Sequence, residues 1–224
     1  MIPTIPSSTS PTSFSGDFEA HLTVRADDPA GVAALEAYAA ARGVKFTHIV
    51  LERGRTPSQP MLTLRGRGGL DGMRGTVEEA AHGLREAGFG VVRTKIESTP
   101  WAEGVPGTDE EAVVLGGRYY FEHHLKLLLA PGADTVALAD VVSRHAAHLS
   151  RNARRVRADG RAERFVTQRC RLVGDRTARA RLEGLVAALQ ARGDEIVSVE
   201  REFVVHDSDE SLDAGWIDEE GTGR

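Results

Sequence analysis

Apolar and polar residues alternate strictly from Phe18 to Val24. Phe18, Ala20, Leu22 and Val24 share one face of an extended segment, and Glu19, His21 and Thr23 share the other. The phrase Phe-Glu-Ala-His-Leu-Thr-Val at 18–24 returns as Phe-Glu-His-His-Leu-Lys-Leu at 121–127, so the chain reads as two copies of one unit. In the first copy, Asp28-Pro29 opens a helix that runs to Arg42 and ends at Gly43. Strands follow over 45–52 and 61–65, joined by the loop Arg53-Gly-Arg-Thr-Pro-Ser-Gln-Pro60; then come a helix near 76–87 and a strand over 91–97.

In the second copy the pattern predicts a strand over 119–129, a helix over 134–149, a hairpin over 153–171, an apolar helical stripe at Leu182, Leu185, Val186 and Leu189, and a strand over 196–205. A Thr-x-Arg recurs as Thr63 to Arg65 and Thr167 to Arg169. Strand-helix-strand-strand-helix-strand is the ferredoxin-like plan, an antiparallel sheet with both helices on one face. The expected fold is therefore α+β, a tandem ferredoxin-like duplication. Its parts are a disordered leader at 1–17, a first repeat at 18–97, a Pro- and Gly-rich linker at 98–117, a second repeat at 118–206 and an acidic tail at 207–224. Gly66, Gly68, Gly69 and Gly72 miss the dinucleotide-binding spacing and read as a loop.

If helices cover one sheet face, the polar alternates line the other. These are Glu19, His21, Thr23, Thr63, Arg65, Arg93, Lys95 and Glu97 in the first copy. Glu122, His124, Lys126, Thr167, Arg169, Ser198, Glu200 and Glu202 are their counterparts in the second. Facing one another, these surfaces would form a pseudo-symmetric cleft lined by Glu19, His21, Arg65, Glu122, His124, Lys126 and Arg169, suited to a small anionic ligand. Burying such groups unpaired would cost about 1–3 kcal/mol each, so the cleft must be wet, networked or ligand-filled. Solvent-exposed faces, or faces tied by salt bridges between the halves, are the alternative.

His21-Leu-Thr23-Val resembles the His-x-Thr motif of the two-histidine phosphoesterases, a family of two pseudo-symmetric lobes with one such motif in each. The resemblance implies a phosphoester hydrolase with His21 and His124 as general acid and base and the Thr23 hydroxyl on a phosphate oxygen. It implies no cofactor. The second copy departs from the motif, reading His124-Leu-Lys126-Leu, with Lys126 offering phosphate a point charge. A rival reading is a divalent transition-metal centre in which carboxylates, Glu19 and Glu122 foremost with Glu97 or Glu202 as further candidates, join His21 and His124 in a mixed nitrogen and oxygen set. The third reading is a non-catalytic ligand-binding or assembly module, with the 53–60 loop setting specificity and exposed sheet edges pairing in a homodimer.

Composition narrows these readings only a little. No run approaches the ~20 apolar residues of a membrane span, and the single cysteine, Cys170, fits a reducing compartment and a buried apolar role. A cytoplasmic protein is expected. His123 points away from His124 and reads as core, whereas His145 and His148 sit at helical spacing on a surface face. Arg151, Arg154, Arg155, Arg157, Arg161, Arg164, Arg169 and Arg171 crowd one segment, a patch suited to phosphate or carboxylate. Acidic pI and few aromatics argue against nucleic acid. The tail from Asp207 holds seven acids against one arginine, which leaves the body near neutral. It reads as a solvated end, or, through Trp216 and Ile217, as a segment docked on a basic surface with autoinhibition or partner contact as the consequence.

Overall fold

A computed structural model describes residues 13–26, 28–152 and 159–216. The first unit is β1 (Ser15–Val24), α1 (Pro29–Ala41), β2 (Lys45–Leu51), β3 (Ser58–Gly69), α2 (Leu70–Glu86) and β4 (Val91–Ser98). After α3 (Asp109–Leu115) the second unit follows as β5 (Tyr120–Leu129), α4 (Thr135–Ser143), β6 (Ala147–Asn152), β7 (Ala162–Arg171), α5 (Asp175–Arg192) and β8 (Glu195–Asp207). A short 3₁₀ turn, Glu210–Asp213, comes last.

Both units adopt the same strand order, β4-β1-β3-β2 and β8-β5-β7-β6. Their edges do not stay free. β2 pairs antiparallel with β6 through Ile49–Leu51, and β4 pairs with β8 through Lys95–Ser98. Eight strands thereby close into one barrel. Closure removes the edges that were expected to pair in a homodimer, because their backbone donors and acceptors are consumed within the chain. The two polar faces now look at each other across the barrel interior, and the helices coat the outside. One apolar cluster joins Leu22, Leu35, Leu62, Met73, Val77 and Leu84 of the first unit with Phe121, Cys170 and Phe203 of the second. Another packs Leu125, Leu127, Leu138, Val142, Leu182, Leu185 and Leu189 under α4 and α5. Cys170 is buried in the first of these clusters, as its strand setting predicted.

The sequence misplaced several boundaries. Gly66, Gly68 and Gly69 belong to β3, paired with β1 as far as Ser15, and Gly72 lies inside α2. The apolar spacing of Leu70, Met73, Val77, Ala81 and Leu84 extends that helix toward its N-terminus. At Gly66 a Cβ would stand 2.7 Å from Met73 Sδ, so a larger residue there would have to displace that thioether. The linker holds α3, started by a Thr108/Glu111 capping box in which each side chain bonds the other's backbone. The helix expected over 134–149 ends at Ser143. Ala146 then takes a left-handed φ of 51°, and β6 begins. His148 is thus a strand residue, not part of a helical His pair. Arg154, Arg155 and Arg157 lie outside the described residues.

Candidate functional site

Each unit brings one histidine into the barrel through the same local geometry. On β1, His21 is opposite Thr63 of β3 and Lys95 of β4. Its Nδ1 lies 3.0 Å from the Thr63 hydroxyl and its Nε2 3.0 Å from Glu97. On β5, His124 is opposite Thr167 and Glu200. Its Nδ1 lies 3.1 Å from the Thr167 hydroxyl and its Nε2 3.3 Å from Glu202. Glu19 meets Arg65 at 2.7 Å, as Glu122 meets Arg169 at 3.2 Å. Two Thr-His-Glu relays, each beside a Glu-Arg pair, therefore face one interior.

The copies differ where they would meet. Lys95 reaches Glu97 and Glu122, both at 2.7 Å, and so ties the first relay to the second unit. Its register equivalent, Glu200, is exposed. Burial opposes the Lys95 charge, yet Glu122 and Glu97 outweigh it and hold the ammonium well above its usual range. Burial likewise opposes ionisation of Glu97 and Glu122. For Glu97, Lys95 and His21 prevail, and for Glu122, Arg169 and Lys95 do; both carboxyls stay well below the usual carboxylate range. His124 is disfavoured as a cation by burial, but the bond to Glu202 and the charges of Glu122 and Glu202 carry it up to about 9. Glu202 is pushed up by burial and by Glu97, and its bond to His124 does not fully offset them.

A third cluster closes one end of the interior. Asp213, only 3 % exposed, bonds Arg93 at 2.9 Å, also pairs with Arg169, and accepts from Gln59 at 3.1 Å. Arg93 holds Asp207 at 2.8 Å as well. Trp216 is buried and donates from its indole to the Leu149 carbonyl at 2.7 Å. The residues after β8 are therefore seated on the barrel as far as Trp216, not solvated. Ile217 and the residues beyond it lie outside the described residues.

Between these clusters lies a cavity of about 170 Å³. Ile49, Leu51, Met61, Phe165 and Trp216 supply an apolar wall, and Glu19, His21, Arg93, Lys95, Glu122, His124 and Arg169 supply a charged one. The predicted site residues are largely brought together here, with amendments. Thr23 lines the cavity. Lys126 is drawn into a pair with Glu163 at 3.0 Å, and Arg65 lies at an outer mouth shared with Trp101 and Glu200. Every lysine and arginine lining the cavity is already paired with a carboxylate. In this form the interior offers an anion no open cation, contrary to the expected anionic-ligand cleft.

Among the described residues, the arginines of 151–171 do not gather into a single patch either. Arg169 points inward, Arg171 pairs with Glu210, and Arg161 pairs with Asp159 and Glu195. His123 is fully buried on the outer face and bonded to Gln168 at 3.0 Å. The proposed metal set of Glu19, Glu122, His21 and His124 does not converge, since Glu19 is held by Arg65 and Lys45. Among the described residues only Glu97, Glu122 and His124 bring ligand atoms within 4.8 Å of one another. That set does not fit a metal, because the Lys95 ammonium already bridges both carboxylates and His124 Nε2 is turned to Glu202. The residues missed by the sequence are Asp207 and Asp213, whereas Trp216, offered by the sequence as one anchor of a docked tail, is buried against the barrel. The signal for Trp216 and Asp213 was a large aromatic within an acidic run.

Fold and site together define a closed α+β barrel of two like units around a small amphipathic chamber. No family model matches the chain, and no curated protein matches it. Among solved structures, the acetolactate synthase small subunit of Thermotoga maritima shares 15% identity over 84% of this chain and 94% of its own, with a TM-score of 0.30. The regulatory subunit of aspartate kinase from Thermus thermophilus shares 15% identity over 79% and 94%, with a TM-score of 0.31. No described helix is long and apolar enough to cross a membrane.

Proposed function

We propose that the protein binds a small amphipathic molecule inside the barrel and does so without catalysis. The carrying observation is the chamber itself: an apolar wall on β2, β3 and β7 faces a charged wall whose groups are already neutralised in pairs. Such a lining rewards a molecule with an apolar body and one polar end. A cavity of about 150 Å³ is known to take benzene, which sets the scale of the occupant. Acid-base catalysis on a phosphoester finds less support, because each ring nitrogen of His21 and His124 already has a protein partner.

The test is a thermal-shift and calorimetric screen of small aromatic and branched aliphatic compounds bearing one polar group, run on the wild type and on Thr47→Phe. Thr47 lines the chamber, so a phenyl group there fills the space the ligand needs. Compounds that stabilise the wild type and lose their effect in the filled variant support the reading. Equal binding to both places the ligand elsewhere and removes it.

A further inference from the structure

Asp213 differs from every other carboxylate of the interior network. Glu97, Glu122 and Asp207 sit on barrel strands and are fixed by the ladders. Asp213 ends a four-residue 3₁₀ turn that follows the last strand. Besides the bonds of Asp213 itself, the segment is held by Arg55 N–H to the Ala214 carbonyl at 2.9 Å, by Trp216 Nε1 to the Leu149 carbonyl, by the Arg171–Glu210 pair and by the burial of Leu212. It also packs tightly on Gly54, where a Cβ would stand 3.1 Å from Trp216. Inside, one carboxylate receives two arginines and an amide donor, the donor set that a carboxylate ligand requires.

We propose that Asp213 and Trp216 act as a built-in ligand. In this view Arg93, Arg169 and Gln59 form a binding site for a small carboxylate carrying an aromatic or apolar group, which enters by displacing the 209–216 segment. The proposal rests on the reading of the barrel as a binding chamber and names its ligand class and its gate. Two further observations favour exchange over mere structure. When Asp213 leaves, Arg93 keeps Asp207 and Arg169 keeps Glu122, so neither buried guanidinium is stripped of its counter-charge. The departing indole also vacates part of the apolar wall beside Ile49 and Leu51, which an aromatic ligand would refill.

An internal carboxylate competes at an effective concentration set by its tether, so weakening it raises the affinity for an external one. The experiment measures benzoate binding by calorimetry to the full chain and to Asp213→Asn, Trp216→Ala and Arg169→Gln, with acetate, inorganic phosphate and neutral benzyl alcohol as comparison probes. The expected result is that Asp213→Asn and Trp216→Ala each tighten benzoate by roughly tenfold or more, that acetate binds more weakly than benzoate, and that Arg169→Gln loses both. A parallel readout uses Trp101→Phe, which leaves Trp216 as the sole tryptophan. Saturating benzoate should shift its emission to the red as the indole enters water. Benzoate affinity unchanged in both tail variants, or Trp216 emission unmoved at saturation, overturns the exchange. Benzyl alcohol binding to the wild type and lost in Thr47→Phe would keep the chamber reading standing in that case. Tighter phosphate than benzoate in Asp213→Asn would overturn the assignment to an apolar carboxylate.

Discussion

The two units build the same Thr-His-Glu relay and then treat the adjacent register position in opposite ways. Lys95 beside His21 reaches two buried carboxylates, and Glu200 beside His124 has a solvent-facing carboxylate. Duplication supplied a symmetric frame, and one charge reversal decided how the frame is held together. The lysine joins the halves, while the glutamate leaves its half open toward the outer mouth near Trp101. Symmetric positions therefore carry unequal energetic weight.

Substitution at those two positions gives the largest expected contrast. Lys95→Ala leaves Glu97 and Glu122 buried without their shared cation, and unfolding in urea should lose about 3–5 kcal/mol of stability. Glu200→Ala should stay within about 0.5 kcal/mol of the wild type. Equal effects would break the comparison. Lys95→Ala also tests the metal argument: zinc added to the wild type should leave the melting temperature unchanged, whereas in the variant the Glu97 and Glu122 carboxylates vacated by the ammonium can receive the ion and recover part of the loss.

A smaller effect reads the second relay by pH. The bond to Glu202 and the charges of Glu122 and Glu202 raise the folded-state pKa of His124 from the ordinary 6.5 to about 9. The folded state therefore binds the proton more tightly than the unfolded one, and the stabilisation is complete below the unfolded pKa. It is lost as pH rises through the folded value. Stability should fall between about pH 6.5 and 9, by no more than about 3 kcal/mol, and His124→Gln should flatten that decline in denaturant titrations across the range. A decline that persists in the variant would assign it to another group. The smallest effect is at the hydroxyls. Thr63→Val and Thr167→Val should each cost about 1 kcal/mol, and a double-mutant cycle pairing each with its own histidine should show coupling that the crossed pairs lack.

Much of this arrangement was legible in the sequence because strand alternation states which side chains share a face. The order of elements, the two histidines, the recurrent threonines and arginines, and the inward set from Glu19 to Glu202 all follow from a period of two. Closure was not legible, since nothing in local periodicity says whether an edge strand will find its partner in the same chain. The β6 error has a different origin. Val136 to Leu149 is apolar enough to continue a helix, and only the left-handed turn at Ala146 ends it. The repeat itself held the correction, because the offset from His21 to His124, carried to Lys45 at the start of β2, lands on His148. Pairing of the cations could not be read either. A list of arginines and lysines facing inward suggests an anion site, whereas, Glu97 beside Lys95 apart, the carboxylates that neutralise them come from a different strand or from the segment after β8.

Both seams of the barrel join strands of one polypeptide, and this has a consequence for how the interior comes into being. Had the same two units been separate chains, the chamber would exist only above some threshold of protein concentration, and its melting temperature would climb with dose. Here the second unit is always present at the effective concentration set by a short tether. Assembly of the chamber is a first-order event, as complete in a single molecule at extreme dilution as in a crowded solution.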